Sequence, residues 1–129
     1  MRSRDAFSYI VLRVVPDIER EEFVNAGVVV FCRPRRFLEA LVELDGDALR
    51  ALDPDADLEA IHGQLEMARA VAAGTLERPP FGSMSQSQRF HWLSTPRSTV
   101  VQPGPLHAGT THDPAATLAH LFETVVRRP

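Results

Sequence analysis

From Phe7 to Val15 the chain is dominated by β-branched and aromatic residues, and both of its alternating faces are largely apolar. Ile10, Leu12 and Val14 share one face, with Phe7, Tyr9, Val11 and Arg13 on the other. A period of two with two apolar faces predicts a central strand. Pro16-Asp17 ends it, and Ile18 to Glu21 is a polar connector, one helical turn with Asp17 as its cap. A second strand is predicted from Phe23 to Cys32, with a bulge at Asn25-Ala26-Gly27, where Gly27 tolerates positive φ. Arg33-Pro34-Arg35-Arg36 reads as a solvated turn, since proline cannot donate to a ladder and three like charges repel. Phe37 to Leu44 then sets Leu38, Ala40, Val42 and Leu44 against Glu39 and Glu43, a third strand with one wet face. Short connections make the three an antiparallel meander.

Beyond Leu44 the period changes. Asp47 is placed to cap a short helix through Leu52, which Asp53-Pro54 breaks. Between Asp57 and Ala73, Leu58, Ile61, Leu65, Ala68 and Ala72 recur at helical steps, and Gly74 suits the position after the C-cap. Pro79 to Gln88, rich in Pro, Gly, Ser and Gln, reads as a long loop or flap. Phe90 and Trp92 alternate with Arg89 and His91, and Thr99-Val100-Val101 is β-branched, so one or two further short strands are expected. Pro103, Pro105 and Gly109 keep the following segment irregular. Asp113-Pro114 opens a last helix with the stripe Leu118, Leu121, Phe122 and Val125, and Arg127 and Arg128 at its favourable end. The sum is an α+β fold: one domain over residues 1–129, an antiparallel sheet of about four to five strands with two main helices packed on one face.

Composition sharpens this picture. With 44% hydrophobic and 24% charged residues, the chain has the make-up of a domain that folds around one core. Cys32 is the only cysteine, which rules out an intrachain disulfide and points to a reducing, cytoplasmic setting. The N-terminal apolar stretch is interrupted by Arg13, and no run approaches the ~20 residues of a membrane helix, so neither a signal peptide nor a membrane anchor is expected. A net charge of -3 supplies no global field for nucleic acid. All 14 basic residues are arginines, so Walker-type phosphate loops and Schiff-base chemistry lack their lysine.

Candidate chemistry is sparse. His107, His112, Asp113 and His120 lie close in sequence but match no recurring zinc spacing, and neither a metal nor a cofactor is expected. Cys32 sits within a strand as a small hydrophobe, Ser98 lacks a nucleophile elbow, and adjacent Glu21 and Glu22 do not converge, so no catalytic residue is assigned. The segment from Arg89 to His107 mixes aromatic anchors with polar groups suited to a phosphate, a carboxylate or a partner peptide. Its candidate binding residues are Arg89, His91, Arg97, Ser98, Gln102 and His107. The competing reading makes Phe90 and Trp92 core and lets the arginines pair with an acidic surface. Nucleic-acid contact through Arg33, Arg35 and Arg36 ranks below a plain solvated turn.

The runs Tyr9-Ile10-Val11-Leu12-Arg13-Val14-Val15-Pro16-Asp17, Glu21-Glu22-Phe23-Val24-Asn25-Ala26-Gly27-Val28-Val29-Val30, Arg89-Phe90-His91-Trp92-Leu93 and Pro96-Arg97-Ser98 resemble the bacterial domain-of-unknown-function family 3037. The likeness spans nearly the whole chain and is most specific at the Asn-x-Gly-Val-Val segment. It implies one small stand-alone domain and, through neighbouring genes, a HipA-like kinase as a partner; it implies no activity. The expectation is therefore a non-enzymatic binding or accessory module acting through a protein partner or self-association. The alternative is an enzyme or ligand-binding domain for a phosphorylated or nucleotide-like small molecule, using Arg89, Arg97, Ser98, Gln102 and His107.

Overall fold

The computed structural model describes residues 3–127; Arg2 and Arg128 lie outside them. Strand β1 (Asp5–Val14) runs through the middle of an antiparallel sheet, paired on one side with β2 (Val24–Cys32), which in turn carries β3 (Phe37–Val42). Its other side is shared end to end by β4 (Val101–Pro103) and β5 (His107–Thr111). The first three strands form the expected meander, and the fold is α+β.

The bulge falls where it was expected. Leu12 pairs with Gly27 but Arg13 with Asn25, leaving Ala26 as the extra residue. That insertion shifts the side-chain parity, so Val24 joins Val14 on the same face on which Val29 joins Ile10. Positive φ is not what Gly27 supplies, since among the described glycines only Gly74 has it. A Cβ on Gly27 would stand 3.0 Å from Val42 Cγ1 and 3.1 Å from the Leu41 carbonyl oxygen, so the residue is small because β3 comes close.

Because β1 and β2 are apolar on both faces, both faces need cover. On one, Ile10, Leu12, Val14, Val29, Leu38 and Ala40 meet α1 (Gly46–Leu52), α2 (Leu58–Ala73) and α3 (Gln86–Ser94) through Leu49, Ile61, Leu65, Val71, Phe90 and Leu93. On the other, Val28 and Val30 meet Leu118 of α4 (Pro114–Leu121) and Phe122 and Val126 of the π-helical turn that continues it. Helices α1, α2 and α3 thus share one face, α2 being the longest, and α4 with its π-helical turn covers the opposite one.

Local signals explain the other differences. Arg89 to Leu93, expected as a strand, is helical: Ser85 and Gln88 form a complete capping box, and Phe90 and Leu93, three apart, are the buried pair. Within the expected loop, Phe81 is buried in a short 3-10 turn and anchors the segment. Asp45, not Asp47, caps α1 by accepting from the Ala48 amide. His107 to Thr111, expected to be irregular, is a strand in which Gly109 leaves room for the Phe7 ring, whose Cε1 would lie 2.9 Å from an added Cβ. Asp57 with Gly74, and Asp113 with Pro114, bound α2 and open α4 as the pattern predicted. The Arg33–Arg36 turn is not simply solvated: Arg35 bridges Asp5 at 2.7 Å and donates to the Ser3 and His112 carbonyls, leaving Arg33 and Arg36 exposed.

Candidate functional site

Helix α3 and the turn after it border an open hollow. Trp92 is held edge-on against Phe81, ring centroids 5.0 Å apart. Arg97 lies over the other part of this platform, its guanidinium carbon 4.3 Å from the Trp92 ring centroid. Two hydrogen bonds lock that arginine back onto α3: Nη2 donates to the Trp92 carbonyl and Nε to the Thr95 carbonyl at 3.3 Å. Burial lowers the Arg97 pKa from its ordinary value, and a guanidinium remains a cation at neutral pH. The Thr95 hydroxyl donates to the His91 carbonyl at 2.6 Å and closes the helix end. Around these groups Met84, Gln88, His91 and Pro96 complete a hollow of about 530 Å³.

The six sequence candidates divide among several places. His91 and Arg97 line the α3 hollow together. Arg97 and Gln102 also border a smaller hollow, about 230 Å³, with Leu12, Met67 and Trp92. Ser98 and Gln102 face a third, of about 390 Å³, beside Arg13, Glu21 and Phe23. Arg89 is turned toward the end of α2: it donates to the Met84 carbonyl at 2.9 Å, and its Nη2 would lie 3.2 Å from a Cβ on Gly74. There it sets a positive charge against the carbonyl end of the α2 dipole, a structural task. His107, on β5, stacks on Tyr9 at 4.9 Å, on the sheet face that α4 covers. One shared hollow does not form, because α3 being a helix turns Arg89 away from Arg97, and β5 carries His107 around the sheet edge.

Sequence reasoning passed over Met84 and Gln88, which lay in the expected loop, and Arg13, which was counted only as a strand residue. For Arg13 the signal was available: a lone charge in an otherwise apolar strand. Among the described residues no three His, Cys, Asp or Glu side chains come together in a way that could hold a metal ion, and no helix is long and apolar enough to cross a membrane.

Compared with known families, the chain matches the one described as "Protein of unknown function (DUF3037)" over residues 9–126. No curated protein matches it, and no solved structure does.

Proposed function

Because the chain belongs to the DUF3037 family, which is defined without an activity, we propose from the site alone that it is a non-enzymatic binding module, acting in the cytoplasm through a protein partner. The observation that carries this reading is the locked Trp92–Arg97 platform bordering the α3 hollow. Tryptophan and arginine are the side chains that most often dominate interface energetics, and they do so best when little freedom remains to be lost on binding. Here Phe81 fixes the indole, and backbone carbonyls fix the guanidinium. The lone Cys32, fully buried, suits a reducing compartment.

Capture of interacting proteins by the tagged chain tests the proposal, with a HipA-like kinase, the partner the family resemblance implies, as the first protein sought. Trp92→Ala and Arg97→Ala should each weaken capture at least about 30-fold, which corresponds to the ≥ 2 kcal/mol of a hot spot. Capture unaffected by both changes overturns the assignment of the hollow. A chain that only pairs with itself in sedimentation moves the reading from a foreign partner to self-association.

One observation favours a second reading, a site for a phosphorylated or nucleotide-like small molecule: Arg97 and Gln102 do meet at the smaller hollow. A thermal-shift series with nucleotides and sugar phosphates separates the two, since ligand at 100 times its Kd adds about 2.7 kcal/mol of stability. No shift with any of them removes the second reading.

A further inference from the structure

Arg13 projects from the middle of the sheet on the face opposite Ile10, Leu12 and Val14, and its neighbours leave it unsatisfied. Its Nε is out of solvent and has no hydrogen-bond partner among the described residues. No carboxylate among them forms an ion pair with it, and Glu22 is taken by Arg20 at 2.5 Å. Across the strand pair on one side, Asn25 spends its amide on the Val125 carbonyl at 3.3 Å. Across the pair on the other side is Gln102, which with Ser98, Glu21, Val15, Ile18 and Phe23 encloses the hollow of about 390 Å³ that Arg13 borders. A half-buried guanidinium that borders a hollow with no ion pair among the described residues is a candidate for holding an anion.

The surroundings state which anion fits. The Phe23 ring covers one face of the guanidinium, its centroid 4.6 Å from the central carbon. An anion therefore enters in the guanidinium plane, where a carboxylate takes two parallel N–H groups of the terminal Nη nitrogens, since Nε itself is out of reach of solvent. Ile18 and Phe23, 48% and 45% exposed, are two of the few large apolar side chains left open to solvent, and both border this hollow. They offer cover to a hydrocarbon tail. Glu21 stands in the same lining, held by a left-handed backbone (φ 58°) and free of any hydrogen bond or ion pair among the described residues. Its charge repels a phosphate dianion about twice as strongly as a monoanion.

We infer that this hollow binds a small monocarboxylate with an apolar tail, Arg13 holding the carboxylate in its plane, Phe23 and Ile18 covering the tail, and Gln102 and Ser98 supplying further donors. The site is separate from the α3 hollow and rests on none of the reasoning about a protein partner.

Calorimetric titration of the whole chain with benzoate, hexanoate, acetate and inorganic phosphate tests it, with no second protein present, so failure here leaves the partner reading untouched. Benzoate or hexanoate should bind at least tenfold more tightly than acetate and than phosphate. Arg13→Gln, with an unchanged far-ultraviolet circular dichroism spectrum, should weaken benzoate at least tenfold. Should Arg13→Gln misfold, Gln102→Glu serves instead: it sets a carboxylate opposite Arg13 and should exclude benzoate while raising the melting temperature. Glu21→Gln should narrow the preference for benzoate over phosphate. Phosphate binding as tightly as benzoate, equal affinity for acetate and hexanoate, or benzoate indifferent to both the Arg13 and Gln102 changes overturns the inference, as does the absence of binding by either tailed acid.

Discussion

Two glycines show how much a single missing Cβ decides. At Gly27 the space is already occupied by Val42 and the Leu41 carbonyl, so Gly27→Ala must push β3 away from the bulge. The expected cost is about 1–3 kcal/mol, the usual size of an overpacking penalty, seen as a lower midpoint in urea with an unchanged slope. Gly63 is the counter-example. It lies inside α2 with nothing within 4 Å of an added Cβ, so Gly63→Ala removes only the backbone entropy that glycine loses in a helix. That change should stabilise the protein by about 0.5–1 kcal/mol in the same measurement. The two substitutions are identical in chemistry and opposite in sign, because one position faces a neighbouring strand and the other faces water.

For the elements, the instructive case is α3. Its nine residues carry little apolar weight, and Arg89-Phe90-His91-Trp92 alternates as a strand would. What makes it a helix is its start, where the Ser85 hydroxyl accepts from the Gln88 amide at 3.2 Å and the Gln88 side chain accepts from the Ser85 amide at 2.8 Å. Removing the hydroxyl by Ser85→Ala should cost about 1 kcal/mol of global stability. The helix also carries Trp92 and ends where Arg97 folds back, so fraying at its start loosens the hollow. Hydrogen exchange at the α3 amides should accelerate more in Ser85→Ala than exchange in α2, and equal acceleration throughout would show that the cap acts only through the global equilibrium.

At the scale of the whole molecule, one sheet serves two separate apolar clusters, and each holds a distinct optical probe. Trp92, the only tryptophan, packs at the cluster under α1 to α3, and Tyr9, the only tyrosine, at the cluster under α4. Since β1 and β2 contribute to both, neither cluster survives without the other's strands, and the transitions reported by the two rings in urea should coincide. Leu118→Ala, 4% exposed on α4, should lower both midpoints together by an amount equal to about 2–5 kcal/mol. Separate midpoints would mean that α4 melts as an independent unit.

Much of this arrangement was readable along the chain, because it depends on neighbours in sequence. The period of two through β1, β2 and β3, the stripe of α2 with Asp57 and Gly74 at its ends, the Asp113-Pro114 start of α4 and the bulge at Ala26 are all local properties of backbone and pattern. So was the need to cover both faces of β1, written in its two apolar sides. Which helix covers which face was not, because that depends on how the chain returns from β5, and no stripe of side chains names the surface it will meet. The candidate site divides in the same way. That aromatic and arginine side chains gather between residues 89 and 102 is written in the sequence, but Arg89 leaving for the end of α2, His107 passing to the other face and Arg13 Nε finding no partner among the described residues are consequences of three-dimensional packing. Charge in a sequence is a count; whether a charge is paired, stacked or free is decided only when strands distant in the chain come side by side.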